Sequence, residues 1–165
     1  MIEHYDLIVL GGGRASALAI AAAQAGQKVA LIEQDKLGGA CPNRGCVPSK
    51  LLIGFAEAAR QVRHAERHFT NATYHGTDAQ AVFDSVNEWI SGVDSRYEGR
   101  VEASGATLIR GEGRFVGPKT IEAAGSTLTS KKIVIATGSY PSPPPYADLP
   151  IRTSANPFPL TDPAP

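Results

Sequence analysis

The chain has 165 residues and a mass of 17.3 kDa, which is enough for one domain of ordinary size. Its 16 basic and 16 acidic side chains cancel, so no net charge attracts nucleic acid or an anionic membrane surface, and we expect neither partner. No apolar run approaches the roughly 18 residues that cross a bilayer, and the first six residues lack the basic start of a signal peptide. We therefore expect a cytoplasmic protein.

The first 33 residues predict two strands joined by a glycine-rich turn and a helix. An apolar run, Tyr5 to Leu10, ends at three consecutive glycines, and its length suits a buried strand. Small helix-forming residues fill Ala15 to Ala25, and Gly26 is placed to end that helix in a left-handed turn. Lys28 to Glu33 is the second apolar run. A crossover of this kind makes the two strands parallel and the connection right-handed.

Further along the chain, apolar residues at helical spacing predict two long helices, Lys50 to His68 and about Asp78 to Val101. Short alternating runs separated by glycines predict a small β-meander from Ala106 to Thr129. A third buried strand, Lys132 to Ala136, follows the meander. After Ser139 the chain is rich in proline without apolar periodicity, which is typical of a linker or a tail. The fold class that these elements predict is α/β, with a parallel sheet and a small meander.

The glycine-rich turn has the arrangement of a dinucleotide-binding site. Gly11 would permit the tight turn, and Gly13 would let the backbone approach a pyrophosphate at the helix N-terminus. Glu33, 20 residues after Gly13 at the end of the next strand, would accept hydrogen bonds from a ribose. Ser16 stands where a third glycine is usual, and its small side chain still allows the helix to pack on the strand. The alternative is a glycine turn in an α/β domain that binds no nucleotide.

Cys41 and Cys46 are the two cysteines of the chain, and four residues separate them. Cysteines at this spacing can meet across the start of a helix, where the helix dipole stabilises a thiolate, which favours a redox role. A zinc site would need two further ligands, and the histidines at positions 4, 64, 68 and 75 do not have ligand spacing, so we expect no metal. A purely structural disulfide is the remaining alternative, although a reducing cytoplasm disfavours it.

Four features of the sequence together resemble one family of flavoenzymes. They are Gly11–Gly13 with Glu33, the run Gly39 to Lys50 that contains both cysteines, the Gly111-x-Gly113 step, and Ala136-Thr137-Gly138-Ser139. Their order and spacing resemble the N-terminal part of the flavin-dependent pyridine nucleotide-disulfide oxidoreductases, which include dihydrolipoyl dehydrogenase, glutathione reductase, mycothione reductase and mercuric reductase. The likeness extends to about Pro150, and the cysteine run is its most specific part.

The resemblance implies a role for each matching position. Cys46 would be the charge-transfer thiol beside the flavin, Cys41 the interchange thiol that reacts with the substrate, and Lys50 a cation near the flavin N5. These three residues would be catalytic, and the two cysteines would form a redox-active disulfide. The positions that the resemblance assigns to FAD binding are Gly11, Gly13, Arg14, Ala15, Ser16, Glu33, Gln34, Gly39, Ala40, Cys41, Gly45, Cys46, Lys50, Gly113, Ala136, Thr137, Gly138 and Ser139.

The resemblance also implies a domain organisation and an activity. Residues 1–150 would be a Rossmann-like FAD-binding domain with the redox-active disulfide, and 151–165 a Pro-rich tail leading towards an NAD(P)H domain absent from these residues. The longer chain would be a homodimer that passes electrons between NAD(P)H, FAD and the disulfide to a small disulfide or dithiol substrate. Mercuric ion, mycothione and glutathione disulfide are alternative substrates, and a truncated, non-catalytic FAD-binding module is the alternative function.

Overall fold

Two compact units make up the part of the chain that the computed structural model describes, which is residues 2–142, Thr153, Leu160 and Thr161. The first unit contains the chain up to Gly39 together with Gly92–Tyr140. The second unit contains Ala40–Ser91 and the described residues after Tyr140. The predicted domain boundary at residue 150 and most of the predicted tail, 151–165, lie outside the described residues.

A six-stranded sheet is the centre of the first unit. Its strands are β1 (Ile2–Leu10), β2 (Val29–Glu33), β3 (Thr107–Arg110), β4 (Arg114–Gly117), β5 (Thr120–Ala123) and β6 (Ser126–Ile135). The strand order is β3-β2-β1-β6-β5-β4. The first four strands in this order are parallel, whereas β5 pairs antiparallel with both β4 and β6. The predicted α/β class, with a parallel sheet and a small meander, is confirmed.

Five α-helices accompany the sheet in the described part of the chain. They are α1 (Ser16–Gln24), α2 (Ala40–Arg44), α3 (Cys46–Arg63), α4 (Ala79–Ser91) and α5 (Val93–Ser104). Helices α1 and α5 belong to the first unit, and the other three belong to the second. None of the helices in residues 2–142 combines the length and the apolarity that a membrane span requires.

Apolar side chains from alternate positions of β1 form two buried clusters in the first unit, as expected for a strand whose neighbouring side chains point to opposite faces. Val9 packs with Ala19 of α1 and Val101 of α5. Ile8 packs with Ile121 of β5 in the other cluster. All five side chains are inaccessible to solvent, and removal of this apolar surface from water is the main force that holds the sheet and its helices together.

The pairing of β3 and β6 differs from the sequence prediction. Thr107–Arg110 lies parallel to β2 and is not part of the meander, which begins at β4. Four residues are too few for their alternation to distinguish these two pairings. The last meander strand and the predicted strand Lys132–Ala136 form a single ten-residue strand, because β6 pairs with β5 through its first half and with β1 along its length.

The boundaries of the later helices also differ from the prediction. Helix α3 begins at Cys46, earlier than predicted, and ends at Arg63, after which Ala65–His68 forms a 3-10 turn. The single helix predicted from Asp78 to Val101 is wrong, because α4 and α5 are separate helices on either side of Gly92. Glycine disfavours helix continuation, and an acidic residue, Asp94, in the first turn of α5 favours a new helix start.

Candidate functional site

The carboxyl ends of three parallel strands meet at one edge of the sheet in the first unit. Gly11 N, just past β1, donates to the Ile32 carbonyl of β2 at 2.8 Å, and Ala136 N, just past β6, donates to the Leu10 carbonyl at 2.8 Å. Because β2 and β6 flank β1 on opposite sides, the connections of the chain diverge at this edge. Open α/β sheets bind their ligands at such a point.

The three glycines after β1 have different surroundings. Gly11 has a φ of +104°, and a Cβ at this position would overlap the backbone carbonyl of the residue after β6. A Cβ on Gly12 would overlap the side chain of Leu37. A Cβ on Gly13 would lie 3.6 Å from the Cα of Gly39, which is an ordinary contact. The fold itself therefore requires Gly11 and Gly12, whereas it would accept a small side chain at Gly13.

Helix α1 begins directly after this turn. Its first turn contains no acidic residue and no side-chain cap within the described structure, so the residues of that turn do not offset the positive end of the helix dipole. The buried Ser16 hydroxyl donates to the Gly13 carbonyl at 2.7 Å, which satisfies the polar group that replaces the usual third glycine. The turn is therefore suited to an anionic group such as a phosphate.

The Glu33 carboxylate lies beside the glycine turn and is held by two backbone amides. Its Oε2 accepts a hydrogen bond from Gly12 N at 2.6 Å, and its Oε1 accepts one from Asp35 N at 2.8 Å. Each carboxylate oxygen has a second lone pair, so the side chain retains the capacity to accept hydrogen bonds from a ligand hydroxyl. This is the position in which a dinucleotide-binding protein holds a ribose.

Most of the other predicted cofactor residues of the first unit also follow the carboxyl ends of its strands. Arg14 and Ala15 lie in the glycine turn, and Gln34 follows β2. The side chains of Arg14 and Gln34 are exposed. The segment 137–139 is exposed after β6, with Gly138 at a φ of +79°. Gly39 has a φ of +69°, in the left-handed region that glycine favours. Their contacts with FAD stay predictions.

Gly113 has a structural explanation that sequence reasoning did not provide. A Cβ at this position would approach the side chain of Leu10 too closely and would lie 3.2 Å from the Cγ2 atom of Ile32. Both are buried core residues. The packing of the sheet therefore requires a glycine at position 113, and a contact of this residue with FAD stays a prediction.

Asp94 and Arg110 were not predicted from the sequence, and they fix the loop after Glu33. The Arg110 guanidinium donates to both carboxylate oxygens of Asp94 at 3.0 Å and to the Asp35 carbonyl at 3.2 Å, while Leu37 N donates to Asp94 at 2.7 Å. Partial burial acts to raise the pKa of Asp94, but the hydrogen bonds from Arg110 and Leu37 outweigh it and hold that pKa below its ordinary value. The pair lies 16 positions apart on different elements, so no local motif reveals it.

The second unit contains the two cysteines. Cys41 lies in α2 and Cys46 is the first residue of α3, and they form a disulfide with their Cα atoms 4.8 Å apart. Gly45 joins the two helices, and a Cβ at this position would lie 3.2 Å from the carbonyl oxygen of Ala40. This tight connection at Gly45 brings the start of α3 close to α2. The sulfurs of Cys41 and Cys46 therefore meet, as the sequence predicted.

Helix α3 begins at this disulfide. The Ser49 hydroxyl and amide donate to the Gly45 carbonyl at 2.8 and 3.2 Å, and Pro48 is buried in the first turn, where its missing N–H costs no helical hydrogen bond. Lys50 is exposed and follows Cys46 by one helical turn, which places both residues on the same side of α3. The helix dipole and the lysine charge both favour a thiolate at Cys46 once the disulfide is reduced.

The fold is that of an α/β protein, and its chain combines a dinucleotide-type glycine turn with a disulfide at a helix N-terminus. Residues 5–157 match the family model described as pyridine nucleotide-disulphide oxidoreductase, and the chain belongs to this family. The resemblance found in the sequence is therefore confirmed.

Individual relatives agree with this assignment. The chain is 35% identical over 147 residues to a dihydrolipoyl dehydrogenase of Chlamydia pneumoniae, a match that covers 87% of this chain and 32% of the relative. It is 35% identical over 142 residues to a mercuric reductase of Staphylococcus aureus, covering 85% of this chain and 26% of the relative. The chain thus spans a third or less of these curated relatives.

A solved structure has the same fold. The HOCl-induced flavoprotein disulfide reductase RclA from Escherichia coli aligns with a TM-score of 0.69 and 28% sequence identity. The alignment covers 86% of this chain and 30% of that chain.

Proposed function

We propose that this chain is the FAD-binding part of a flavin-dependent disulfide oxidoreductase. The residues of the first unit fit the adenosine and pyrophosphate portions of that cofactor. Gly13 has no side chain where the backbone would approach a pyrophosphate, the α1 N-terminus favours an anion, and Glu33 can accept hydrogen bonds from ribose hydroxyls. The family membership of the chain supports the same cofactor.

FAD, when bound, supplies two-electron transfer between a nicotinamide and a disulfide. The part of this chain in the reaction is to open and close the Cys41–Cys46 bond. Two electrons and one proton give a thiol at Cys41 and a thiolate at Cys46, which the α3 dipole and Lys50 stabilise. The Cys41 sulfur attacks a substrate disulfide as its proton passes to the departing substrate sulfur, and a mixed disulfide forms. The Cys46 thiolate then attacks the Cys41 sulfur of this mixed disulfide and displaces the second substrate sulfur. The substrate leaves as two thiols after taking up a second proton, and the Cys41–Cys46 bond is restored.

The observation that carries this proposal is the disulfide at the start of α3 in a chain of this family. A small disulfide or dithiol is the proposed substrate, since the name of one relative refers to a dihydrolipoyl group. Mercuric ion is a second candidate, because another relative is a mercuric reductase. Four further points are predictions: the use of NAD(P)H, a longer chain that forms a homodimer, a cytoplasmic location, and the catalytic roles of Cys41, Cys46 and Lys50.

The visible absorbance of the purified chain after reconstitution with FAD tests the proposal. We expect a bound flavin, and in the Cys41→Ser variant a long-wavelength charge-transfer band, because the remaining Cys46 thiolate donates charge to the oxidised ring. Cys46→Ser should lack the band. Gly54→Ala is the matched control, because Gly54 lies in α3 with open space where the new Cβ would be. This variant should behave as the unaltered chain.

Two results would contradict the proposal in different ways. A chain that takes up no flavin would refute the cofactor assignment. A band that survives in Cys46→Ser and disappears in Cys41→Ser would reverse the two thiol roles, and insensitivity of the spectrum to both substitutions would leave the disulfide with a structural role only.

A further inference from the structure

The loop that follows Glu33 is attached at both ends to the glycine turn. Gly12 N donates to one carboxylate oxygen of Glu33 at 2.6 Å, and Asp35 N donates to the other at 2.8 Å. At the far end of the loop, Gly38 N donates to the Gly12 carbonyl at 2.8 Å. A displacement of this loop would therefore move the Glu33 carboxylate.

Arg110 and Asp94 hold the middle of the same loop. Arg110, the last residue of β3, donates to the Asp35 carbonyl at 3.2 Å, and Asp94, in the first turn of α5, accepts a hydrogen bond from Leu37 N at 2.7 Å. The guanidinium joins the two attachments, because it pairs with both oxygens of Asp94 at 3.0 Å and also with Glu98 at 3.1 Å. Leu37 itself is completely buried among the apolar side chains of this unit.

This arrangement differs from an isolated surface ion pair. An exposed pair contributes little to stability because water screens it and two flexible side chains must be ordered. Here the bidentate guanidinium and the carboxylate each bind a backbone group of the same short loop, at Asp35 and at Leu37. Their principal effect is therefore on the conformation of the loop between them.

We propose that Arg110 and Asp94 are positioning residues that hold Glu33 in the orientation in which it accepts hydrogen bonds from the adenosine ribose of FAD. This inference rests on the proposed function, since it requires Glu33 to face that ribose. The pair acts through the loop backbone: Arg110 holds the carbonyl of Asp35, and the N–H of the same residue, in the preceding peptide, donates to the Glu33 carboxylate. The pair therefore sets the preference of the site for a ribose that carries its 2′-hydroxyl over one that lacks it. This effect is separate from any effect on the overall affinity for nucleotide.

Titration calorimetry of the whole chain with ADP and with 2′-deoxy-ADP tests the inference. The unaltered chain should prefer ADP by roughly tenfold, because a hydrogen bond from the 2′-hydroxyl to a charged carboxylate is lost in the deoxy compound. Arg110→Gln should abolish this preference, so that ADP and 2′-deoxy-ADP bind about equally well. Arg110→Lys should restore part of it. Arg114→Gln is the matched control, because Arg114 is an exposed arginine of the next strand, 3.8 Å from Glu112, and the full preference should remain.

Hydrogen exchange of the unliganded chain provides a readout that does not depend on nucleotide. Arg110→Gln should accelerate the exchange of the amides in residues 35–38, while Arg114→Gln should not. If Arg110→Gln does not fold, Asp94→Asn replaces it, because Asp94 is the anionic partner of Arg110 that also holds Leu37 N, and its loss should also abolish the ADP preference.

The outcomes distinguish the inference from the function on which it rests. If the unaltered chain binds neither FAD nor ADP, the proposed function fails and the inference fails with it. If the chain binds FAD but shows no preference for ADP, or if the variants keep the preference, only the inference is overturned. An equal loss of affinity for both nucleotides in Arg110→Gln, with the ratio unchanged, would also overturn it, since a purely structural role has that effect.

Discussion

The three consecutive glycines after β1 all lack a side chain but have different surroundings, so substitutions at Gly11 and Gly13 should separate folding from binding. At Gly11 the positive φ and the overlap with the backbone after β6 exclude a side chain in the protein itself. At Gly13 the protein leaves room for a methyl group, and the requirement for glycine comes from the expected approach of a pyrophosphate. The requirement for glycine at neighbouring positions can thus have unrelated physical origins.

We predict that Gly13→Ala changes the free energy of unfolding of the apo chain by less than about 1 kcal/mol but weakens FAD binding by roughly tenfold or more. Gly11→Ala should instead destabilise the apo chain by more than about 1 kcal/mol, because alanine is strained at this φ and its Cβ overlaps a carbonyl. Chemical denaturation and a flavin titration measure the two effects. Wild-type FAD affinity in Gly13→Ala would show that the backbone does not approach a pyrophosphate at this residue.

Helix α5 carries Asp94 to the loop after β2, so the ends of this helix matter for the site. Gly105 caps its C-terminus with a φ of +82°, and Gly99 lies in its middle with open space around the position of a Cβ. The same glycine-to-alanine change therefore meets opposite constraints at two positions of one helix. At the cap it forces a left-handed conformation on alanine, and in the interior it removes the entropic cost of glycine.

We predict that Gly105→Ala lowers the free energy of unfolding by about 1 kcal/mol and that Gly99→Ala raises it by up to about 1 kcal/mol. The midpoint of urea denaturation, at an unchanged slope, is the measurement. Equal and destabilising effects of both substitutions would mean that the interior of α5 does not tolerate a side chain at residue 99, contrary to its open surroundings.

The acid sensitivity of the chain should depend on Asp94. Its pKa is lower in the folded protein than in the unfolded chain, so folding favours the charged form. The resulting stability is fully present above the unfolded carboxyl pKa of about 4 and is lost as the pH falls through the lower, folded pKa. Asp94→Asn should therefore be less stable at neutral pH and should lose less stability on acidification below about pH 4.

Glu57→Gln is the control for this measurement. Glu57 also pairs with an arginine, Arg60, and its pKa is also lowered, but both partners lie on one turn of α3 and are more exposed than Arg110 and Asp94. Urea denaturation across the acidic range should show little change for this variant. If Glu57→Gln and Asp94→Asn flatten the pH dependence equally, the loop contacts of Asp94 contribute nothing to stability.

At the level of elements, the sequence predicted those features that short-range chemistry determines. The apolar run before Gly11, the small residues of α1 and the cysteine spacing all depend on neighbouring residues, and the corresponding strand, helix and disulfide are present. The pairing of β3, the division at Gly92 and the contacts of Arg110 depend on residues far apart in the chain. Periodicity does not contain that information, since it reports which face of an element is apolar and not what covers it.

On the scale of the whole molecule, the relatives are about three times as long as this chain or longer, since the matches cover 32% and 26% of their lengths. The sequence contains one glycine fingerprint of the dinucleotide type, at Gly11–Ser16, and we assign that fingerprint to FAD. A nicotinamide would need a second site of its own. Binding of the flavin and oxidation of NAD(P)H should therefore be separable properties.

We predict that these 165 residues bind FAD but do not oxidise NADH or NADPH with a disulfide substrate, because no second fingerprint in them would hold the nicotinamide beside the flavin. Absorbance of the reduced nicotinamide during incubation with FAD-loaded chain and excess disulfide is the measurement. Chemical reduction of the same sample is the control, since it bypasses the nicotinamide and should yield two alkylatable thiols at Cys41 and Cys46. Steady NAD(P)H oxidation would refute the prediction, whereas a disulfide that stays closed although the flavin is reduced would favour a non-catalytic FAD-binding module.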